Sequence, residues 1–359
     1  MKYLKFIFVA FLLLIGLSSC DGMNIGKEEK EPEYVQLTGD IYEIYNEASK
    51  GCIGVFTKTS EGYGSGSAVL YKKENGKYYA VTNHHVIEDA TTVKVYLGNN
   101  YYFASNVLGY DEKNDIAVIS FEIENKLLEN KFDLKMHDIF GYEYEDLVCI
   151  GQNVLAIGCP LGLENYNNLS TGVISDVKED QLTTDALLNP GNSGGGLFNI
   201  AGRLIGIVNA KEVWRTTEDG QIPIEGRGYA IPLKTVKKCI LDIEKNGGAI
   251  QRPVLGVYTA AVNLLFPENE NLEKFKDFLP TDIDRIFFIA VDSFTSDDSV
   301  AKKYGLVEND IILYADNIET TSLQTLGYIL RLKNLDENIV FTVYRKSINK
   351  TLDITVYFK

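Results

Sequence analysis

The sequence predicts a mostly β protein in which two β-barrels precede a small α+β domain. Between Gly51 and Pro232 the 359-residue chain has short β-rich runs separated by turn signals, with hardly any helical periodicity. After Pro232 the pattern changes to a helix and then to mixed elements. The length suits two domains, and 45% apolar residues suffice for a core in each. We expect the first domain at 41–248 and the second at 249–359.

Turn residues define individual strands of the first domain. Asn75-Gly76 separates apolar runs at 68–71 and 78–81, and an Asn-Gly pair between such runs is a strong hairpin signal. Similar turn signals lie at 98–100 and 201–202. Regular short strands of this kind favour barrels.

Three short segments carry the residue types of a serine hydrolase. A serine hydroxyl needs a histidine to accept its proton and a carboxylate to orient that histidine, and His85, Asp115 and Ser193 can fill these roles. The order His, Asp, Ser along the chain is that of the chymotrypsin-like double β-barrel, whereas α/β-hydrolases and subtilisins have other orders. The segments are TNHHV (82–86), NDIAV (114–118) and GNSGG (191–195).

The glycines around Ser193 have a second predicted role. A tetrahedral intermediate places negative charge on the former carbonyl oxygen, which two backbone N–H groups must stabilise. We predict that Gly191 and Ser193 provide this oxyanion hole, because glycine allows the loop the dihedral angles it needs. Alone, GNSGG is also typical of a flexible turn, Asn114-Asp115 of a turn entering a strand, and His85 of a structural histidine. The three segments in this order favour catalysis.

From about Gly51 to its C-terminus, the chain resembles the HtrA (Deg) family of trypsin-like serine proteases. The resemblance implies the triad named above and excludes His84. Chymotrypsin-like zymogens have an aspartate before the nucleophile, whereas this chain has Asn192, so we expect no zymogen switch at that position. The resemblance implies instead a loop that becomes ordered on activation. The further segments that carry it are GSGSA (64–68), TDA (184–186), NP (189–190) and GYAIP (228–232).

By analogy with this fold, the substrate pocket is formed by residues ahead of the nucleophile and by a strand after it. None of these residues is acidic, so we expect small or medium aliphatic side chains to be preferred over Lys or Arg, whose charge would be buried unpaired. The loop at 211–227 borders the pocket and is the expected site of an activating rearrangement. The predicted pocket residues are Leu187, Leu188, Ile207, Val208, Asn209 and Ala210.

The remainder predicts one helix and a second domain. The helix is expected at 233–246, with apolar residues on one face and Gly247-Gly248 as its stop. The chain beyond this helix resembles a single bacterial PDZ domain, with a helix at 299–306, a strand at 309–312 and Ser322 as the cap of a second helix. Leu326, Ile329 and Leu330 of that helix either pack in the core or line the peptide groove. The residues that match the carboxylate-binding loop are Leu255, Gly256 and Val257.

Two departures from the family pattern concern this domain. An acidic, aromatic insertion at about 263–285 lies beside the carboxylate loop, where we expect it to block or redirect the groove. Two roles therefore stay open for the domain, namely binding of C-terminal peptides and a purely structural or assembly role. The segment at 176–183 is brief, whereas the corresponding HtrA loop is often longer and senses the PDZ domain, so we do not expect coupling to the active site.

The N-terminus is typical of a bacterial export signal. Two lysines precede an apolar run at 6–17, which is too short for an ordinary spanning helix of about 20 residues. The LSSC segment after this run resembles a lipobox, in which Cys20 would be acylated; the alternative is an ordinary cleaved signal with an incidental cysteine. We predict a lipoprotein-type signal peptide at 1–20 and a disordered tether at 21–40. The protein would then be anchored in the cell envelope, outside the cytoplasm.

Composition limits the partners. With 35 basic against 50 acidic residues the net charge is −15, which repels phosphate backbones and argues against nucleic acid. No Cys/His cluster has metal-like spacing, so we expect neither a metal nor another cofactor. Four further cysteines are predicted as small buried apolar residues rather than a disulfide framework: Cys52, Cys149, Cys159 and Cys239.

The combined expectation is an envelope-anchored serine endopeptidase of the HtrA type that cleaves unfolded or damaged exported proteins through an acyl-enzyme. Its expected partners are unfolded polypeptides, C-terminal peptides at the PDZ domain and a membrane through lipid on Cys20, and the resemblance suggests a homotrimer. Two alternatives stay open: a regulatory protease that cuts one partner at a defined site, and a non-proteolytic chaperone or peptide-binding scaffold. The intact triad argues against the scaffold, because a binding role does not require it.

Overall fold

The computed structural model of the protein describes only part of the chain. The predicted signal peptide with Cys20 and nearly all of the predicted tether lie outside the described residues, as do most of the side chains in the loop at 211–227. The described ranges are 40–141, 148–210, 214–217, 220–223, 226–266 and 268–358, with side chains left out between 211 and 225.

Six antiparallel strands form the first barrel, preceded by helix α1 (Ile41–Ala48). β5 pairs with both β4 and β6, which closes the sheet. Asn75 and Gly76 connect β2 to β3 with φ angles of 52° and 80°, the positive values that an Asn-Gly hairpin needs. The strands are β1 (Cys52–Lys58), β2 (Tyr63–Glu74), β3 (Lys77–Thr82), β4 (Thr92–Tyr96), β5 (Tyr102–Asp111) and β6 (Ile116–Glu122), with helix α2 (His84–Ile87) after β3 and helix α3 (Lys126–Glu129) after β6.

A second closed barrel comes next in the chain. Its six strands run in the order β10-β11-β14-β9-β8-β7, while β12 and β13 pair with each other in a separate hairpin. Together with the first barrel, it confirms the predicted mostly β, chymotrypsin-like architecture. The strands are β7 (Asn153–Gly158), β8 (Asn168–Val177), β9 (Leu182–Thr184), β10 (Gly196–Asn199), β11 (Leu204–Asn209), β12 (Trp214–Thr217), β13 (Gly220–Pro223) and β14 (Gly228–Pro232).

Helix α4 (Leu233–Asn246) has the bounds that the sequence predicts. Its apolar face packs against the layer between the barrels, where Val236 and Ile240 are fully buried. Gly247 ends the helix with a φ of 66° and donates its N–H to the Ile243 carbonyl. The chain then adds β15 (Gly248–Ala249) in parallel to β5.

Alternating side chains of the strands fill three apolar cores in the barrel region. On β2, Ala68 and Leu70 point into the first barrel, whereas Val69 and Tyr71 pack between the barrels. The second barrel has an interior core of its own. Each fully buried side chain of this size stabilises the fold by about 1.5–3 kcal/mol, so the strands that lead to the cleft are held from two sides.

A third sheet with three helices forms the C-terminal domain, which is consistent with a PDZ domain. Its main strand order is β16-β17-β18-β20-β21, and β19 pairs with β18. Ser322 caps α7 by accepting the N–H of Thr325 at 3.0 Å, as predicted, and Ser299 caps α6. The elements are β16 (Val257–Asn263), α5 (Glu270–Phe275), β17 (Phe287–Phe294), α6 (Val300–Lys303), β18 (Ile311–Ala315), β19 (Ile318–Glu319), α7 (Leu323–Arg331), β20 (Asn338–Arg345) and β21 (Lys350–Tyr357).

Three of the four cysteines that were predicted to be buried are buried. Cys52, Cys159 and Cys239 are buried and free as predicted, whereas Cys149 is exposed, because it lies in the turn that precedes β7 rather than in a strand. No helix in the described ranges is both long enough and apolar enough to span a bilayer.

Candidate active site

Two of the three predicted hydrolase residues, His85 and Ser193, line a cleft of about 490 Å³. One wall is the hairpin between β1 and β2 together with His85 and Val86 of α2. The other wall includes Gly191, Ser193 and Ala210 from the second barrel. The histidine and the serine, which are far apart in the sequence, thus meet where the two barrels face each other.

His85 and Asp115 form a close pair. His85 Nδ1 lies 2.7 Å from Asp115 Oδ2, and the backbone N–H of His85 donates to Asp115 Oδ1 at 2.9 Å. Asp115 has a φ of 53°, a left-handed conformation that aspartate tolerates better than most residues. Its carbonyl accepts hydrogen bonds from the His84 N–H and from Asn83 Nδ2. The carboxylate is therefore fixed in position, and it fixes the imidazole.

Asn209 supplies a contact that the sequence analysis missed. Its Nδ2 donates to Asp115 Oδ2 at 3.0 Å, the oxygen that also faces His85. Asn209 therefore holds the carboxylate from the second barrel. It was predicted to line the substrate pocket, but it is not among the residues described as lining the cleft. No local pattern indicates this contact, because the two residues are 94 positions apart.

The Ser193 hydroxyl lies at the base of the cleft. The residue is 5% exposed, and its Oγ accepts the Ala210 N–H at 3.2 Å. Within the described residues, Oγ makes no hydrogen bond to His85. Catalytic hydrogen bonds are often long before substrate binds, so proton transfer requires the hydroxyl to turn from Ala210 towards the imidazole.

Every carbonyl of the nucleophile loop from Pro190 to Ser193 accepts a hydrogen bond. A trans peptide points the C=O of one residue and the N–H of the next in opposite directions. The bonds to the Pro190 and Asn192 carbonyls therefore orient the N–H groups of Gly191 and Ser193. The N–H groups of Gly191 and Ser193 have no acceptor within the described part of the chain, as an oxyanion hole requires. The carbonyl partners are Leu161 N–H for Pro190, Ser67 Oγ for Gly191, Gly195 N–H for Asn192 and Ser67 N–H for Ser193, at 2.7, 2.8, 2.9 and 2.8 Å.

The predicted substrate pocket needs correction. Ile207 and Val208 are 0% exposed, because β11 packs one face against the layer between the barrels and the other into the second barrel. Leu188 joins that second core, and Leu187 is 71% exposed outside the lining of the cleft. Of the six predicted pocket residues, Ala210 alone is among the residues described as lining the cleft.

A second groove, of about 290 Å³, lies in the C-terminal domain between α7 and the predicted carboxylate loop. Leu255, Gly256 and Val257 line it together with Leu326 and Leu330 of α7. The Leu255 carbonyl accepts the Ala301 N–H, and the Gly256 carbonyl accepts the Thr295 N–H. In the described structure the N–H groups of Leu255 and Gly256 have no acceptor. The loop therefore presents two unpaired donors to an apolar groove.

The insertion at 263–285 does not enter this groove. Phe275 of α5 is fully buried against Val262 and Phe288, on the sheet face opposite to α7. Leu326 packs on the other face, with Ile289. The expectation that the insertion blocks the groove is therefore wrong, because alternate residues of β16 and β17 separate the two layers.

A buried charged cluster joins the C-terminal domain to the loop that carries Asp115. The Arg252 guanidinium, 2% exposed, contacts Asp111 at 2.6 Å and Asp242 at 2.8 Å. Asn114, next to Asp115, donates to Asp111 and to the Arg331 carbonyl at the end of α7. The short segment at 176–183 also reaches α7, since Asp180 pairs with Arg331 at 2.8 Å. Its brevity therefore does not prevent contact between the two domains.

Two β-barrels with a histidine, an aspartate and a serine at their shared cleft define a trypsin-like serine endopeptidase. The chain matches the trypsin-like peptidase domain over residues 66–207. It is 32% identical to the serine protease Do-like HtrA of Lactococcus lactis subsp. lactis (strain IL1403), over 80% of this chain and 69% of the relative. The chain therefore belongs to the HtrA family of serine proteases.

Two further relatives support this assignment. The chain is 32% identical to a probable periplasmic serine endoprotease, DegP-like, of Chlamydia trachomatis, over 77% of this chain and 51% of the relative. Among solved structures, the HtrA-type protease AlgW with a tripeptide superposes with a TM-score of 0.65 at 26% identity, covering 88% of this chain and 95% of that one.

Proposed function

We propose that this endopeptidase is anchored in the bacterial envelope and cleaves unfolded or damaged exported proteins, with Ser193 as nucleophile, His85 as base and Asp115 as its orienting carboxylate. The observation that carries the proposal is the pair of unpaired N–H groups, on Gly191 and Ser193, beside a serine and an oriented histidine. A scaffold that only binds peptides has no need of a nucleophile and an oriented histidine beside such a pair.

The chemistry derives from the geometry. Because Nδ1 of His85 faces the Asp115 carboxylate, the proton of the neutral imidazole resides there and Nε2 is free to act as the base. Nε2 takes the Ser193 proton as Oγ attacks the substrate carbonyl carbon, and the oxyanion forms at the two N–H groups. The C–N bond then breaks, His85 gives its proton to the leaving amine, and water hydrolyses the acyl-enzyme by the same steps.

An unfolded substrate fits the site better than a folded one. The nucleophile lies at the base of a cleft between two barrels, and a backbone must be extended to reach it. The lipobox-like segment ending at Cys20 supports the envelope location, as does the relative named periplasmic. Replacing Cys20 by Ser should release the protein from membranes, and unchanged fractionation would contradict the lipid anchor.

We extend the proposal to the C-terminal groove, which would bind the free C-terminus of a peptide. Two unpaired N–H groups suit a carboxylate, and the apolar face of α7 suits the last side chain. The solved AlgW relative is described with a tripeptide, which supports a peptide ligand. Isothermal titration with free and C-terminally amidated peptides tests this, because an amide lacks the charge.

We also propose that the protein forms a homotrimer, by resemblance to the family. Light scattering, which measures the mass of the assembly in solution, tests this.

The decisive experiment is cleavage of an unfolded protein by the wild type and by Ser193→Ala. Loss of the nucleophile should lower turnover by about 10⁶-fold. If the wild type cuts no unfolded protein, the choice is between the two alternatives. A few accumulating products in whole cells would favour the site-specific regulatory protease, and none would favour the scaffold.

A further inference from the structure

Ser67 lies behind the nucleophile loop, outside the triad. It is on β2, opposite Gly54 of β1, and it is 0% exposed. The side chain therefore belongs to the first barrel, although the loop it touches belongs to the second.

Ser67 makes four hydrogen bonds, two through its hydroxyl and two through its backbone. The Ser67 hydroxyl donates to the Gly191 carbonyl at 2.8 Å and accepts the Cys159 N–H at 2.9 Å. The Ser67 N–H donates to the Ser193 carbonyl at 2.8 Å, and its carbonyl accepts from Thr82 Oγ1 at 2.7 Å. Ser67 thus holds two of the four carbonyls that set the orientation of the nucleophile loop.

Gly191 needs a hydrogen bond from outside the loop to fix its backbone conformation. Gly191 has a φ of 98°, and a Cβ there would lie 2.3 Å from the Cys159 carbonyl oxygen, so a side chain does not fit. The same lack of a side chain gives glycine the largest conformational freedom of any residue. Its N–H must nevertheless stay aimed at one point in the cleft. The N–H lies in the peptide plane that Leu161 holds through the Pro190 carbonyl, and a hydrogen bond from a rigid strand to the Gly191 carbonyl holds the next plane. With both planes anchored, the φ and ψ angles of Gly191 are fixed.

We propose that Ser67 is a positioning residue for the oxyanion site: its hydroxyl locks the Gly191 carbonyl against the first barrel, which fixes the peptide plane after Gly191, while Leu161 fixes the plane before it through the Pro190 carbonyl. Gly191 is then held between two anchored planes, and its N–H stays aimed into the cleft. The inference rests on the proposed role of Gly191 and Ser193. It adds that the hole is assembled across both barrels. Movement of one barrel relative to the other would therefore disturb the hole as well as the triad.

Two glycines, Gly194 and Gly158, pack directly against Ser67. A Cβ on Gly194 would lie 1.9 Å from the Ser67 carbonyl oxygen, and one on Gly158 would lie 2.9 Å from the Ser67 hydroxyl. Neither glycine can take a side chain without displacing Ser67 or the backbone beside it. With alanine, the Gly191 carbonyl and the Cys159 N–H would both lose a buried partner.

The test uses a fluorophosphonate on the full-length protein. Ser193 Oγ attacks phosphorus, an O–P bond forms as the P–F bond breaks, fluoride leaves, and His85 accepts the hydroxyl proton. The phosphoryl oxygen then occupies the oxyanion site, so the labelling rate reports its alignment without any protein substrate. This separates the inference from the proposed substrate, because a wild type that is labelled and cuts no unfolded protein still tests Ser67.

We expect Ser67→Ala to be labelled about 10 to 100 times more slowly than wild type, less than the roughly 10² to 10³ for a donor lost outright. On a peptide substrate, kcat should fall by the same factor with KM within about twofold, because the ground state does not use the oxyanion site. The matched control is Ser120→Ala, a fully buried serine on β6 whose hydroxyl has no partner in the described structure. It should react like wild type.

Ser67→Cys covers the case in which Ser67→Ala does not fold. A thiol is a weak donor, so its labelling rate should lie between wild type and the expected alanine value. A wild-type rate in folded Ser67→Ala or in Ser67→Cys, a rise in KM without a fall in kcat, or a wild type that the probe does not label would each overturn the proposal.

Discussion

The catalytic cleft and the C-terminal groove use the same backbone device for different purposes. Each has a glycine with positive φ, 98° at Gly191 and 72° at Gly256. Each also has a pair of N–H groups with no acceptor among the residues that the structure describes, and the neighbouring carbonyls accept hydrogen bonds from elsewhere in the fold. Such a pair suits negative oxygen in either case.

The side chains around the two pairs decide what they bind. The cleft adds a nucleophile and an oriented histidine, so its pair faces charge that develops only during the reaction. The groove adds the leucines of α7, and no histidine is among the residues described as lining it, so its pair suits a carboxylate that is charged from the start. Stabilising a transient charge gives catalysis, and stabilising a permanent one gives affinity.

Gly191→Ala should disable the cleft and leave the groove intact. Its Cβ would meet the Cys159 carbonyl oxygen at 2.3 Å, which displaces the loop and its N–H groups. We expect kcat to fall by about 10³-fold, as for a lost oxyanion donor, with peptide binding at the groove unchanged. Gly151→Ala is the control, because its φ of 87° is equally unfavourable but its Cβ would meet nothing within 4 Å. Near-normal turnover in folded Gly191→Ala would refute the oxyanion assignment.

Arg252→Met tests the physical connection between the two regions. The residue precedes the groove loop, and its partner Asp111, 0% exposed, lies in the segment that leads to Asp115. Removing one partner of a buried ion pair leaves the other charge uncompensated, so we expect a loss of about 3 kcal/mol in unfolding free energy. Adding Asp111→Asn should recover part of the loss in chemical denaturation. Additive effects of the two changes would mean that the pair does not interact.

The residues that the sequence predicted and those it did not differ in the range of their contacts. The Asn75-Gly76 turn and the Ser322 cap depend on neighbours a few positions away, and both were predicted. The bond between Ser67 and Gly191 joins positions 124 apart, and neither residue carries a local sign of it. The contact of Asn209 with Asp115 is also long-range, so the sequence analysis placed Asn209 in the pocket instead. Along β11 both faces are buried, and the sequence therefore shows no alternation of apolar and polar residues that would indicate where Asn209 points.

His137 makes the folding stability depend on pH, because it is buried without charge. Burial lowers its pKa from 6.5 to about 4, although its Nε2–H donates to the Ala48 carbonyl. Below pH 6.5 the unfolded chain binds a proton that the folded one does not, so stability is present above pH 6.5 and is lost as pH falls towards 4. At 1.36 kcal/mol per pKa unit this contribution is about 3 kcal/mol.

Urea unfolding at pH 7.5, 6.0 and 5.0 measures this contribution. His137→Gln keeps a donor for the Ala48 carbonyl and does not titrate, so its stability should fall less steeply over this range. Equal slopes for the two proteins would show that His137 is not the group responsible. Assays of either site are best done above pH 6.5.

Gly256→Ala should weaken peptide binding at the groove and leave the cleft intact. Its effect is the smallest of those predicted here. Its Cβ would lie 2.8 Å from Ser299 Cβ at a φ of 72°, so the loop must shift and its N–H groups lose their alignment. We expect about tenfold weaker binding of a C-terminal peptide, roughly 1.4 kcal/mol, and unchanged hydrolysis of a small ester. Gly305→Ala has a φ of 99° in open space and controls for backbone strain alone. If both variants weaken peptide binding equally, domain stability is responsible; if only Gly256→Ala does, the unpaired N–H groups hold the carboxylate.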